Sequence, residues 1–330
     1  MTPSTFLVIG GAGYIGSHLV KALIEQQHQV VVVDNLSAGR ASAVLGGELI
    51  IHNFDDREFL DALFSTKKFD GVFHFASQIV VSESVKDPGK YYRANTAATL
   101  TLLEAMRDHN VGPLVFSSTA AVYGEPLYTP INEQHPTNPL NPYGRSKLMV
   151  EQMLADFDHA YGQKYIALRY FNAAGADPQA RIGENHDPET HLIPLALQAI
   201  TVKRPPLQLF GQDYDTPDGT CIRDYIHVDD LASAHILAIK SLINGGSSSV
   251  FNLGSNHGYS VNEVIQTAAK VTGKQVPLTY APRRPGDPAT LVADASLAKK
   301  CWAGSLNTAI LHKSSRTPGL GNKPINNTHS

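Results

Sequence analysis

The sequence predicts an α/β fold in which a doubly wound parallel sheet is followed by a smaller α/β C-terminal region. Two observations support this fold class. Short apolar runs alternate with longer amphipathic segments through the first half of the chain, as they do in parallel βαβ units. After Phe171 the sequence becomes rich in glycine, proline, asparagine and aspartate, which indicates long loops between shorter elements.

The elements follow in order along the chain. Short apolar runs predict strands, and apolar residues three or four positions apart predict helices. The predicted strands are 5–10, 29–34, 48–52, 71–75, 113–117, 164–169 and, in the C-terminal region, 208–210. The predicted helices are 15–27, 57–66, 89–109 and 143–161, then 192–202, 228–244 and 260–272. Six or more strands connected by helices in this way form the Rossmann pattern.

Composition excludes several classes of function. Of the 330 residues, 42% are hydrophobic and 17% charged, and the net charge is −3, which is ordinary for a soluble globular protein. No long basic run indicates a nucleic-acid partner, and no signal peptide or membrane span is apparent, which predicts a cytoplasmic protein. Cys221 and Cys301 lack metal-ligand spacing, and the two histidines of HDPETH (186–191) lie five apart in a loop. No metal site is therefore predicted.

A glycine-rich turn follows the first predicted strand. Gly11, Gly13 and Gly16 match G-x-G-x-x-G, and Gly10, Gly13 and Gly16 also follow one another at intervals of three residues. The next strand ends on Asp34. Glycines let backbone amides approach a pyrophosphate at a helix N-terminus, and the acid can accept hydrogen bonds from an adenosine ribose. Because that carboxylate would repel a 2′-phosphate, NAD is predicted over NADP. The alternative is a plain glycine-rich turn.

Polar residues follow other strands of the predicted sheet. Asp55 and Asp56 come after the third strand, HFAS (74–77) ends the fourth, and the hydroxyl-rich run 117–119 ends the fifth. The carboxyl ends of parallel strands form the ligand crevice of this fold, so we expect cofactor contacts here. The alternatives are that Asp55 caps a helix and that 117–119 is only a hydroxyl-rich turn.

A tyrosine and a lysine lie four residues apart in NPYGRSK (141–147). In a helix beginning near Pro142, Tyr143 and Lys147 would share one face. A nearby cation favours the phenolate over the phenol, whose ordinary pKa is about 10, and would make Tyr143 a base near neutral pH. The alternative is that a tyrosine at a helix start and a solvated lysine occur here by chance. The dinucleotide motif favours the catalytic interpretation over this alternative.

Seven motifs in order carry a resemblance to a known family: GGAGYIG, HFAS, SSTAAVYG, YGRSK, RYFNAAG, DGTCIRDYIHV and RRPGD. Over residues 5–300 or so, the chain resembles the extended short-chain dehydrogenase/reductases and, within them, the 4-epimerases of UDP-glucose. The resemblance implies NAD-dependent interconversion of UDP-glucose and UDP-galactose by C4 oxidation, rotation of the 4-keto sugar and re-reduction. Two alternatives stay open: 4-epimerisation of another UDP-sugar (a pentose, a uronic acid or an N-acetylhexosamine), and a non-catalytic NAD-binding protein.

The resemblance also assigns residues to roles. It implies that Tyr143 is the catalytic base, that Lys147 lowers its pKa and binds the nicotinamide ribose, and that Thr119 bridges Tyr143 and the sugar hydroxyl. The implied cofactor-binding residues are Gly10, Gly13, Tyr14, Ile15, Gly16, Asp34, Asn35, Ser37, Asp55, Asp56, Phe75, Ala76, Ser77, Asn95, Ser117, Tyr143, Lys147 and Phe171. The implied substrate-binding residues are Thr119, Asn172, His191, Leu192, Phe210, Arg223, Tyr225, Arg284 and Asp287.

The two arginines of this set have a rationale of their own. The guanidinium forks of Arg223 and Arg284 suit the oxygens of a diphosphate. The alternative is a salt bridge with Asp224 or Asp287.

The domains and the departures from the family complete these expectations. Residues 1–172, with returning segments near 225–252, are predicted to bind NAD; 173–302 to bind the UDP-sugar; and 303–330 to be a disordered tail. Sugar-nucleotide dehydratases of this superfamily need an acid pair after the strand-end threonine, where this chain has Ala120 and Ala121.

Three further departures concern side chains and the chain end. Ile79 replaces a lysine of some members, and Leu291 replaces a tyrosine of some members and favours plain hexoses. The family pattern is lost after Lys300, for which a shifted reading frame is one hypothesis. The resemblance further implies a homodimer built from the helices 89–109 and 143–161.

Overall fold

The computed structural model describes residues 3–201, 204–284 and 287–302. Its strands are β1 (Thr5–Ile9), β2 (Gln29–Asp34), β3 (Glu48–Ile51), β4 (Gly71–His74), β5 (Leu114–Thr119), β6 (Tyr165–Tyr170), β7 (Asn172–Ala174), β8 (Leu207–Phe210), β9 (Ile222–His227), β10 (Ser249–Leu253), β11 (Gly258–Ser260), β12 (Leu278–Ala281) and β13 (Thr290–Leu291). Its helices are α1 (Tyr14–Glu25), α2 (Arg57–Thr66), α3 (Val81–Lys86), α4 (Pro88–Tyr91), α5 (Ala98–Asp108), α6 (Pro142–Tyr161), α7 (Leu192–Ile200), α8 (Val228–Ile243), α9 (Val261–Thr272) and α10 (Ser296–Trp302). The predicted tail 303–330 lies outside the described residues.

A seven-stranded parallel sheet forms the centre of the molecule, with the order β10-β6-β5-β4-β1-β2-β3. Both faces of its strands are buried, which is why QVVVVD of β2 reads as a continuous apolar run. The chain leaves β3 at one edge and returns to β4 on the other side of β1. The predicted Rossmann fold is confirmed, and its crevice opens at the carboxyl ends of β1 and β4.

Helices cover both faces of this sheet. On one face α1, α8 and α10 bury Leu19, Leu231 and Trp302 against it. On the other face α2, α5 and α6 contribute Leu60, Leu102 and Leu154. None of the helices in the described residues combines the length and the apolar run that a bilayer crossing requires.

The late segments α8 and β10 lie with the first half of the chain. Helix α8 packs beside α1, and β10 pairs with β6 at the sheet edge. This arrangement supports the predicted return near 225–252, although β10 was not among the predicted strands. The domain boundaries themselves stay a prediction.

The remaining elements form a smaller α/β unit. Strands β11, β9, β13 and β7 make one sheet, β8 pairs with β12, and α7 and α9 pack over an apolar cluster that includes Leu209 and Ile265. The prediction of long loops after Phe171 is wrong for residues 222–225, because β9 runs through this segment. Its central Asp224 is fully buried and accepts hydrogen bonds from the backbone of Ser255 and Ala293, so no apolar alternation marks the strand.

The predicted single helix 89–109 is also interrupted. A π-helical stretch, Tyr92–Ala97, separates α4 from α5. Such stretches often mark functional sites because they displace one side chain from the regular helical position.

Candidate functional site

The glycine turn packs backbone against backbone where β1 meets α1. Gly10 has a φ of +80°, and a Cβ added there would lie 2.5 Å from the Ala76 amide nitrogen. A Cβ on Gly16 would lie 2.3 Å from the Gly10 carbonyl oxygen. Within the described part of the chain, no side chain caps α1 at Gly13 and no acid lies in its first turn. The turn therefore offers the uncompensated amides that a pyrophosphate requires.

Asp34 fixes this turn from the end of β2. Its carboxylate accepts hydrogen bonds from the amides of Ala12, at 3.0 Å, and Leu36, at 2.8 Å. The side chain lies at the same sheet edge as the glycine turn, where a ribose would be in reach, and this contact stays a prediction. Beside it, Asn35 accepts a hydrogen bond from the amide of Ser37.

One of the two neighbouring acids has a structural role. Asp56, and not Asp55, is the N-cap of α2 and accepts a hydrogen bond from Phe59 N at 3.1 Å. A helix cap was the alternative considered for Asp55, and the structure gives that role to Asp56. Asp55 is exposed at the same edge of the sheet.

Gly10→Ala is expected to destabilise the fold by more than Gly162→Ala does. Both glycines have a positive φ, +80° and +72°, which costs an alanine about 1–2 kcal/mol. At Gly10 the added Cβ would also collide with Ala76, whereas no described atom lies within 4 Å of a Cβ at Gly162. Urea unfolding measures both free energies, and NAD content should fall only in Gly10→Ala. Equal destabilisation would contradict the close packing of the turn.

Asn95 connects the loop after β4 to α6. It lies in the π-helical stretch, is 2% exposed, and accepts a hydrogen bond from Gln78 N at 2.8 Å. Its amide group donates to Gln78 O and to Ser146 Oγ, both at 3.0 Å. The interrupted helix thus turns Asn95 toward the loop that carries Ala76 and Ser77. Phe75 of the same loop packs against the His235 ring, with centroids 4.7 Å apart.

Tyr143, Thr119 and Lys147 meet at the carboxyl end of β5. Helix α6 begins with Asn141 as N-cap and Pro142 in its first turn, which places Tyr143 within hydrogen-bonding distance of the Thr119 hydroxyl. Lys147 Nζ donates to the Ser117 carbonyl oxygen at 2.8 Å. The structure therefore brings Tyr143 to Thr119, and it brings Lys147 to Ser117, two residues earlier in the same strand.

The charges in this group differ from the expectation. Burial raises the pKa of Tyr143 above its usual value. The hydrogen bond with Thr119 acts in the opposite direction and is the smaller effect. Burial also lowers the pKa of Lys147 to about 7, against the attraction of Glu151. The ammonium is directed at the Ser117 carbonyl. Lowering of the phenol pKa by Lys147 stays a prediction.

A buried polar network lies behind β5, and sequence reasoning missed it. Ser118 Oγ donates to Glu151, whose carboxylate pairs with Arg169 at 2.9 Å from Nε to Oε1. Arg169 also donates to the Tyr123 hydroxyl at 3.0 Å. Glu151 lies one helical turn after Lys147, and this spacing could have indicated it. Ser117, by contrast, accepts a hydrogen bond from the Tyr170 hydroxyl.

Predicted substrate residues gather on β7 and β9. Asn172 pairs in register with Tyr225 and donates to the Asp224 carbonyl at 2.8 Å. Just before it, Phe171 packs in an apolar cluster that also includes Leu291.

The two predicted arginines have different partners in the structure. Arg223 forms an ion pair with Asp287, so the salt-bridge alternative is realised with that partner and not with Asp224. The Arg284 guanidinium lies over the Phe210 ring, 4.1 Å from its centroid. The amide of Asp287 donates to the Arg284 carbonyl, so the partner of Arg223 lies three residues after Arg284 in the chain.

The glycine turn is linked to the C-terminal region through Tyr14. Its hydroxyl donates to the Gly175 carbonyl at 2.6 Å, and burial and nearby carboxylates raise its pKa well above the usual range. Next in the chain, Ile15 packs on the sheet. The loop from Gly175 ends at His191, the N-cap of α7, and Leu192 begins that helix.

Known proteins share this architecture. The NAD dependent epimerase/dehydratase family model matches residues 6–254. A UDP-glucose 4-epimerase of Halalkalibacterium halodurans is 53% identical over 293 residues, 89% of this chain and 88% of that protein. The structure of UDP-glucose 4-epimerase from Brucella ovis in complex with NAD has a TM-score of 0.88 at 48% identity and covers 90% of this chain and 91% of that one. One from Stenotrophomonas maltophila, with bound NAD and formylated UDP-arabinopyranose, has a TM-score of 0.87 at 44% identity over 90% and 91%.

Proposed function

The chain belongs to the NAD dependent epimerase/dehydratase family, and we propose that it interconverts UDP-glucose and UDP-galactose as an NAD-dependent isomerase. The observation that carries this proposal is the placement of Tyr143 at Thr119 and of Lys147 at Ser117, at the carboxyl end of β5, on the same sheet edge as the glycine turn after β1. Homologues at about 50% identity are named for this activity. NAD held at the glycine turn would supply a reversible hydride acceptor for C4 of the sugar.

The side chains of this centre have distinct tasks in the proposal. Tyr143 exchanges a proton with the 4-hydroxyl of the sugar. The Thr119 hydroxyl hydrogen-bonds the phenol and shifts it toward the phenolate. Lys147, held by the Ser117 carbonyl, supplies positive charge and a donor for the ribose of the cofactor. The amides of the glycine turn bind the pyrophosphate, because no side chain caps α1 at Gly13. The Asp34 carboxylate, which lies at this turn, binds the adenosine ribose.

The substrate side is proposed to hold the nucleotide while the sugar turns. Arg223 and Arg284 bind the diphosphate, and Asn172, Leu192, Phe210 and Tyr225 surround the rest of the molecule. The Arg223–Asp287 pair keeps one guanidinium preorganised beside this region. Within the turn that follows Thr119, Ala120 and Ala121 carry no group that could remove a further proton, which favours return of hydride over elimination of water.

A direct assay tests the proposal. Purified protein without added NAD is expected to convert UDP-galactose to UDP-glucose with no accumulation of reduced cofactor. Assays of a UDP-pentose, a UDP-uronic acid and a UDP-N-acetylhexosamine run in parallel. Leu291, where some family members have a tyrosine, favours the plain hexose. A protein that retains NAD but converts none of these sugars would be a non-catalytic binding protein.

We also propose that the protein is a cytoplasmic homodimer. Leu100 of α5 and Met149 of α6 are 37% and 40% exposed, so both predicted dimer helices present apolar surface. Light scattering measures the assembly state.

A further inference from the structure

Two glutamates and two histidines of one loop converge next to the cofactor-binding turn. They are Glu184, His186, Glu189 and His191, between β7 and α7. One ligand-capable atom from each side chain lies within 4.8 Å of the other three. We propose that these four side chains form a tetrahedral site for a divalent cation of the zinc class.

The distances suit a single ion. His191 Nδ1 lies 2.6 Å from Glu184 Oε1 and 3.2 Å from Glu189 Oε1. His186 Nδ1 lies 3.2 Å and 4.0 Å from the same two oxygens. Bonds of about 2.0–2.1 Å to zinc place tetrahedral ligand atoms about 3.3 Å apart. The four separations bracket that value, so small side-chain rotations are enough to surround an ion.

The charges also require compensation. The side chains of Glu189 and Glu184 are only 2% and 8% exposed, and the two carboxylates repel one another. Buried carboxylates need positive charge close by. One divalent ion would balance both carboxylates, with one nitrogen of each imidazole among its ligands. Two imidazolium ions without a metal are the competing explanation.

The donor set selects the kind of cation. Calcium and magnesium prefer sites made of oxygen ligands, whereas imidazole nitrogen mixed with carboxylate oxygen suits zinc and its neighbours in the first transition row. All four positions are filled by protein, as in structural sites and unlike catalytic ones, which keep a position open.

The position of the site indicates its role. The His186 ring lies 6.2 Å from the Tyr14 ring, centroid to centroid, and Tyr14 already holds the start of the loop at Gly175. An ion bound by these side chains would hold residues 184–191 of the loop beside the glycine turn. Because His191 faces the carboxylates with Nδ1, its Nε2 remains available for the proposed substrate contact.

The two histidines of HDPETH, five positions apart, do not by themselves indicate a metal site, and none was predicted. The glutamates interleave with them as Glu-x-His-x-x-Glu-x-His from 184 to 191. In a loop, spacing alone does not show that such residues converge, and the structure supplies that information.

Metal binding by the tag-free protein tests the proposal. After treatment with a chelator, the wild type is titrated with zinc chloride in a calorimeter and, separately, with cobalt(II) in a spectrophotometer. One zinc per chain and the intense visible bands of tetrahedral cobalt are expected. His186→Gln is expected to bind zinc at least about 10-fold more weakly, by loss of a direct ligand. The matched control His159→Gln, an exposed histidine of α6, should bind as the wild type does.

Three results would overturn the site. They are the absence of stoichiometric zinc binding in the wild type, weak octahedral cobalt bands, and equal zinc affinity of the wild type and His186→Gln. The cobalt spectrum needs only the wild type, so the proposal remains falsifiable if the variant does not fold. Any of the three would leave protonated histidines as the partners of Glu184 and Glu189.

Discussion

Tyr143→Phe is expected to lower the rate constant for conversion of UDP-galactose to UDP-glucose by about 10²- to 10⁴-fold, the usual contribution of a positioned acid or base. The substitution retains the ring that packs at the start of α6 and removes only the oxygen that faces Thr119. Single-turnover assays measure the chemical step, and absorbance of denatured samples measures retained NAD. Retention should be unchanged, because the glycine turn and Asp34 are intact.

Tyr161→Phe is the matched control. Tyr161 ends the same helix and is 56% exposed, so its hydroxyl has no role in the proposed chemistry and turnover should equal that of the wild type. If Tyr143→Phe kept turnover within a factor of about two at equal NAD content, another group would have to exchange the proton.

Glu151→Gln is expected to lower the free energy of unfolding by about 3–5 kcal/mol, because it leaves a buried guanidinium without its counter-charge. The Glu151 and Arg169 side chains are 5% and 8% exposed, and no solvent replaces the lost carboxylate. Urea unfolding at neutral pH measures this loss. Turnover should also fall, since Ser118 donates to Glu151 and immediately precedes Thr119 in β5.

Asp158→Asn gives the comparison for an exposed pair. Asp158 lies in the same helix as Glu151, α6. Its carboxylate pairs with Lys164, whose side chain is 48% exposed. Pairs of this kind contribute at most about 1 kcal/mol. Similar losses for both variants would show that burial does not set the strength of the Glu151–Arg169 pair.

The central sheet was predictable because its signal is local. Strands buried on both faces, such as β2 with four successive valines, must be apolar throughout, and the helices between them carry one apolar face each. The glycine turn and the acid of β2 likewise follow from spacing alone. For this reason the predicted strand and helix boundaries of the first half mostly lie within two residues of those in the structure.

Features that depend on contacts between distant segments could not be predicted in this way. Asp224 reads as a loop residue until the backbone of Ser255 and Ala293 supplies its donors. The interruption of the helix before α5 coincides with the hydrogen bonds of Asn95 to Gln78 and Ser146, which the local sequence does not reveal. Lys147 was expected beside the phenol, yet its ammonium is directed to a carbonyl of β5 that only the tertiary fold brings near.

The placement of α8 beside α1 and of β10 at the sheet edge bears on how this protein is made. Helix α8 ends at Ile243 and β10 at Leu253, so neither can take its position until those residues have left the ribosome. Until then, the helix that follows the glycine turn lacks its covering partner, and the nascent chain exposes apolar surface on that face. Stable capture of the dinucleotide is therefore a late event in biosynthesis, and the unfinished chain is a natural client for chaperones that shield hydrophobic patches.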